Sequence, residues 1–222
     1  MPALQPRLQP AEPMHWFQSA RGLPLLAAER ERVAALLASR APQPWLWLAP
    51  APGPGADAAA CGLPPRGLRL HRDRAQLAGA FRCSLPLPLP SESFGSIVVQ
   101  HVLDDGGLAG FLDEAVRILQ PGGHLWLFAL NPHSPYRLRW RGAGLRARSP
   151  VEWRLRLRAA GLHVDEGSEA AWLGPVWREA ASLPALAGLR AVCVLGAEKR
   201  SVPLTPIRSV AWRRSDAAPA GL

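Results

Sequence analysis

The segment Leu85–Pro132, LPLPLPSESFGSIVVQHVLDDGGLAGFLDEAVRILQPGGHLWLFALNP, decides how this chain folds. Its apolar pattern predicts a buried strand over Ser96–Leu103, an amphipathic helix over Leu108–Leu119, a Gly-Gly turn and a second buried strand over His124–Leu130. Two near-continuous apolar strands joined by one helix make a βαβ unit, and such strands belong in a parallel sheet covered on both faces. Ligands of open sheets of this kind sit beyond the carboxyl ends of the strands. That edge carries Gln100, His101, Asp104 and Asp105 after the first strand and Asn131 after the second.

Upstream, Leu23–Ser39 reads as an amphipathic helix. Leu25, Leu26, Val33, Leu36 and Leu37 share its apolar face, and Glu29, Arg30, Glu31 and Arg32 form the wet one. His15, Trp16 and Phe17 ahead of it form an aromatic anchor after a loosely packed lead over residues 1–14. Pro42 and Pro44 stop the helix, Trp45–Ala49 reads as a first buried strand, and Leu68–His71 and Gly79–Cys83 as a second and third. Downstream, Ser149-Pro150-Val151-Glu152 has the form of a capping box with proline at the first helical position, so a helix should start there and end at Gly161. Leu162–Asp165 and Leu189–Ala197 read as the last two strands, with a loop containing Trp172 and Trp177 between them. The division expected is a lead over 1–22, one domain over 23–200 and a basic tail over 201–222.

With 222 residues and 48% hydrophobic content, the chain is long enough for one substantial core. No apolar run approaches the roughly 18 residues of a membrane span, and the proline-broken N-terminus lacks the apolar centre of a signal peptide. Cys61, Cys83 and Cys193 are widely spaced, the six histidines are scattered, and no metal site is implied. A reduced, cytoplasmic setting is expected. The formal charge is +9, and all but Lys199 of the 26 basic residues are arginine. That bias matches a GC-rich coding sequence, while arginine also binds phosphate well, so an anionic partner stays open.

The order of elements from Trp45 to Lys199 resembles a class I S-adenosylmethionine-dependent methyltransferase of the small bacterial type 11 family. LPLPLPSESFGSIVVQHVLDD is similar to that family's LPFPDNSFD segment and the strand after it, and EAVRILQPGGHLWLF to its segment around PGG. GLRAVCVLGAEKR is similar to its closing strand. The resemblance implies an α/β, Rossmann-like fold: a seven-stranded, mostly parallel sheet with an antiparallel last strand and helices on both faces. It also implies S-adenosylmethionine as cofactor. The family's glycine-rich loop departs here: the run is WLWLAPAPG, with Trp47 at the place of the acid, Ala49 and Ala51 at the first two glycines, and Gly53 kept. Pro50 and Pro52 remove two backbone donors. The ribose-binding acid falls near His71, with Asp73 two residues on, and the adenine-side acid at Cys83, followed by Ser84.

The cofactor-binding residues that the resemblance implies are therefore Ala49, Ala51, Gly53, His71, Cys83, Ser84 and Gln100. His101 and Asp104 are the catalytic candidates: His101 as a base near neutral pH, Asp104 to orient an acceptor. Their structural alternatives are a strand-end histidine bonded to the backbone and a carboxylate near a helix start. Asn131-Pro132-His133-Ser134-Pro135-Tyr136 follows the wrong strand to be a base-clamping signature, and Tyr136 is expected at a pocket mouth. Eight arginines between Arg137 and Arg158 crowd one region, which suits a small anion, a lipid head group or, less favourably, a nucleic acid backbone. The reading is methyl transfer to a small-molecule or lipid-like acceptor. The rival is an inactive methyltransferase-like module that works through its arginine-rich face.

Overall fold

The computed structural model describes residues 12–53, 63–164, 171–173 and 189–200. The basic tail, Cys61 and Trp177 lie outside them. A single mixed sheet has the order β3-β2-β1-β4-β5-β7-β6, with β1 Trp45–Ala49, β2 Gly67–Asp73, β3 Gln76–Gly79, β4 Phe94–Gln100, β5 Leu119–Leu130, β6 Ala171–Leu173 and β7 Val192–Glu198. The β2, β1, β4 and β5 strands run parallel, whereas β3 pairs antiparallel with β2, and β7 antiparallel with both β5 and β6. All residues of β1 and β4 are buried, as strands covered on both faces must be.

Helix α1 (Leu23–Ala38) covers one face, packing Leu25, Val33 and Leu37 with a 3-10 helix at Pro13–Gln18 onto Trp45, Trp47, Val98 and Phe128. Helices α2 (Phe111–Ile118) and α3 (Pro150–Ala159) cover the other, placing Phe111, Ala115, Ile118, Trp153 and Leu157 against Leu48, Ile97, Val99 and Leu127. Helices thus lie on both faces, as expected.

Four expectations are corrected. The third strand is not Gly79–Cys83 but Gln76–Gly79, reached by a tight hairpin in which Asp73 pairs with Gln76 and Arg74 takes φ 54. Cys83 only bridges back to Leu77. The sheet is therefore reversed at this edge as well as at its end. Second, the chain over Leu162–Val164 makes one bridge, His163 to Glu198, and the short strand falls at Ala171–Leu173, where a loop was expected; Asp165 lies outside the described residues. Third, the lead is not loose at its end, because Met14 packs into the core. Fourth, the Pro-Gly-Gly run does not precede β5 but lies within it, where Gly122 has φ +74 and donates its N–H to Lys199 O at 2.7 Å.

The motifs that carried the fold have local physical jobs. Glu114 accepts from the Leu87 N–H, and Arg117 bridges Glu114 and the carbonyls of Leu87 and Leu89, so helix α2 clamps the LPLPLP segment. Ser149 caps α3 by accepting from the Glu152 N–H at 3.2 Å. The Glu152 carboxylate turns to Arg148 and Arg156 instead of closing the box. Ser149→Ala is expected to cost about 1 kcal/mol, read from the urea midpoint; a change within error would mean that the Pro150 start suffices alone.

Candidate functional site

Strand β4 ends on Gln100, and the chain turns away at His101, which holds φ 56 and donates its N–H to Phe128 O at 2.9 Å. That turn sends the His101 ring under α1. Its Nε2 lies 2.8 Å from Glu29 Oε1 and its Nδ1 2.8 Å from Asp104 Oδ2, and the ring stacks on Phe17 with centroids 4.7 Å apart. Gln100 donates to Glu29 Oε2 at 2.6 Å and accepts from the Trp47 indole N–H at 3.0 Å. Asp104 Oδ2 also accepts from the Leu130 N–H. Asp104 Oδ1 is buried without a hydrogen-bond partner among the described residues.

Every member of this network is buried, Glu29 and His101 essentially completely. Burial alone would lower the His101 pKa, but the Glu29 charge and the hydrogen bonds to Asp104 and Glu29 outweigh it and hold the ring at about 10. His101 is therefore an imidazolium with both N–H groups donating to carboxylates. Burial pushes Asp104 upward, against the pull of its bonds to His101. Such a group ties α1 to the ends of β1, β4 and β5. Both His101 and Asp104 are 1% exposed, and neither lines the cavity beside them.

A cavity of about 240 Å³ opens beside this network, between α1 and the loop that follows β1. Ala49, Ala51, Gly53, Trp47 and Gln100 line it from the sheet side, and Arg30 and Ala27 from α1. Arg69 of β2 completes it, its guanidinium 4.5 Å over the Trp47 ring. A Cβ at Gly53 would lie 2.0 Å from Arg69 Nη2, so a side chain there would have to push the guanidinium aside. The cavity sits at the carboxyl ends of β1 and β4, where doubly wound sheets take ligands.

Of the residues expected to hold a cofactor, Ala49, Ala51, Gly53 and Gln100 therefore share one cavity wall. His71 pairs with Ala49 across the strands but does not line the cavity. Burial lowers its pKa, with Asp73 acting in the opposite sense. Cys83 stands over the other core, where burial raises its pKa, and Ser84 is exposed; neither lines the cavity. Tyr136 lines no pocket mouth: it is buried, with its hydroxyl donating to Arg21 O. Asn131 is also structural, bonded to Arg190 O and to the His133 N–H.

Glu29, Phe17, Arg30 and Arg69 complete the arrangement and were not singled out for it. Glu29 is not on the wet face. It lies at four-residue spacing between Leu25 and Val33, and that spacing was the available signal. Arg69 had none, because its role depends on the register Trp47↔Arg69 between β1 and β2.

The sequence matches no protein-family model and no curated protein. Its fold is similar to solved structures. One is a chain of the complex between the Haloferax volcanii Trm112 methyltransferase activator and the putative methyltransferase (15% identity, TM-score 0.54, 86% of this chain and 99% of that one). Others are SAM-dependent methyltransferases from Archaeoglobus fulgidus (11%, 0.52, 83% and 97%) and Aquifex aeolicus (15%, 0.51, 85% and 98%). At these identities the likeness shows the fold, a mixed α/β Rossmann-like arrangement shared with class I methyltransferases. No helix among the described residues is long and apolar enough to cross a membrane.

Proposed function

We propose that this chain is a cytoplasmic S-adenosylmethionine-dependent methyltransferase of the type 11 kind, acting on a small-molecule or lipid-like acceptor. The observation that carries the reading is the cavity at Gly53. It lies at the strand edge where sheets of this class take ligands, and Gly53, the glycine that the resemblance keeps, is in its wall. The residues fit one end of the cofactor: Arg30 and Arg69 offer donors to an amino acid carboxylate, and Gln18 adds a polar group. No carboxylate lines the cavity to take ribose hydroxyls, and about 240 Å³ is below the roughly 300–1,000 Å³ of ordinary ligand pockets. A cavity of this size and lining would hold only part of the cofactor, so weak binding is the expectation.

When bound, the cofactor supplies an electrophilic methyl group. The protein's part is positioning and exclusion of water, which needs no elaborate set of acids and bases. On this reading the buried imidazolium of His101 is a positioning group that holds α1 over the cavity, not the base first expected.

A second reading is an inactive module. It is favoured by the full internal use of Gln100, His101 and Asp104, which leaves the β4 edge little to offer a ligand. Calorimetric titration with S-adenosylmethionine and S-adenosylhomocysteine separates the two. We expect a dissociation constant of roughly 0.1 mM, lost in Ala27→Trp, which fills the cavity from an exposed position on α1. No heat at millimolar cofactor favours the inactive module, and heat that Ala27→Trp leaves unchanged rules this cavity out as the cofactor site.

A further inference from the structure

A second cavity, of about 370 Å³, borders the other core, between the start of α2 and the length of α3. Its floor is apolar: Leu103, Leu108, Phe111 and Trp153. Arg148 and Arg156 stand over it, against a single lining carboxylate, the exposed Asp113. Both guanidiniums are pre-set. Arg148 donates to Leu103 O at 3.3 Å and pairs with Glu152 at 3.0 Å, and Arg156 pairs with the same carboxylate at 3.2 Å. They lie over the Trp153 ring at 5.3 and 6.0 Å.

Two further features border this space. Helix α2 starts at Gly110 with φ +76 and no side-chain cap, and a Cβ built there meets nothing within 4 Å. Its first turn, which also lines the cavity, has the Phe111 N–H bonded to Leu108 O, carries Asp113 and Glu114, and leaves the positive end of the helix without a side-chain cap. Trp153, in the cavity wall and 2% exposed, has an indole N–H with no hydrogen-bond partner among the described residues. A buried donor without an acceptor is costly unless something supplies one.

We infer that this cavity binds a small amphiphilic anion, a carboxylate or phosphate head on an apolar body. The head is held by Arg148, Arg156 and the α2 N-terminus, and the body lies on the Leu103–Phe111–Trp153 floor. The apolar floor and the paired guanidiniums select together: a neutral chain lacks the head's partners, and a bare inorganic anion leaves the floor wet. This site and the Gly53 cavity border different cores, so it stands whether or not the cofactor binds.

The test is calorimetry of the full chain with four probes: octanoate, octyl phosphate, 1-octanol and inorganic phosphate. Octanoate or octyl phosphate is expected to bind with a submillimolar constant, and the tighter of the two identifies the head. Octanol and inorganic phosphate should each bind at least roughly tenfold more weakly. Arg156→Gln, at the half-exposed rim, should weaken the amphiphilic anions by roughly tenfold and leave octanol unchanged. Ala159→Trp, at an exposed lining position, should block all of them. Octanol binding as tightly as the anions, inorganic phosphate binding as tightly as octyl phosphate, or anion binding that Ala159→Trp leaves intact overturns the assignment. So does the absence of saturable heat with either amphiphile.

Discussion

Glu29→Ala is expected to destabilise the protein by about 3–5 kcal/mol, the cost of leaving buried charged and polar partners without their counter-group. The carboxylate accepts from His101 Nε2 at 2.8 Å and Gln100 Nε2 at 2.6 Å, and all three side chains are buried. The same cluster makes wild-type stability depend on pH. His101 has a folded pKa of about 10 against an ordinary 6.5. Its contribution is fully present below about 6.5 and is lost as pH rises toward 10, where the folded protein must release the proton. Asp104, raised by burial, acts in the same sense: its ionisation is harder in the folded state, so stability again falls with rising pH. Urea unfolding should therefore show lower stability near pH 10 than near pH 6.5. Glu29→Ala should flatten that slope, because burial then dominates the histidine. A variant that loses less than about 1 kcal/mol, or a wild type with no loss over this window, would mean that His101 is neutral and the cluster unimportant.

Phe17→Ala has the second largest expected effect. Phe17 is fully buried, packs edge-on to Trp16 at 5.1 Å and stacks on His101 at 4.7 Å. Losing a buried phenylalanine costs about 3–5 kcal/mol through transfer and cavity terms. Here the cavity opens directly onto the charge cluster. Water entering there weakens both the burial that lowers the His101 pKa and the carboxylates that raise it, so the titration should move from about 10 back toward 6.5. Histidine proton NMR reads that shift, and Phe17→Leu keeps the measurement possible if the alanine variant does not fold. An unchanged titration with normal stability would show that the 3-10 helix is not part of the core.

The α/β architecture was legible because burial on both faces leaves a continuous apolar run: SIVV and LWLFAL announce central strands, and the helix between them has the matching 3.6-residue stripe. The α3 start was legible because Ser149 and Pro150 satisfy local backbone needs at that one place. The third strand was not, because a four-residue hairpin edge carries little periodicity, and its position follows from the turn at Arg74. Of the candidate site, Ala49, Ala51 and Gly53 were found because they fall, at the end of the first strand and just after it, where the resembled family has its glycine-rich loop.

Sequence by itself thus determined the central strands and the helices around them, consequences of short-range pattern, and, through the resemblance, the departures in the loop after β1. Only the tertiary structure decided what the polar residues at that edge do. Glu29 and His101 are 72 positions apart, and Trp47 and Gln100 are 53 apart. Whether a histidine between them is a base or a buried imidazolium depends on which carboxylates the fold brings within hydrogen-bond distance and whether water is excluded. Local pattern carries neither quantity; packing across the sheet sets both.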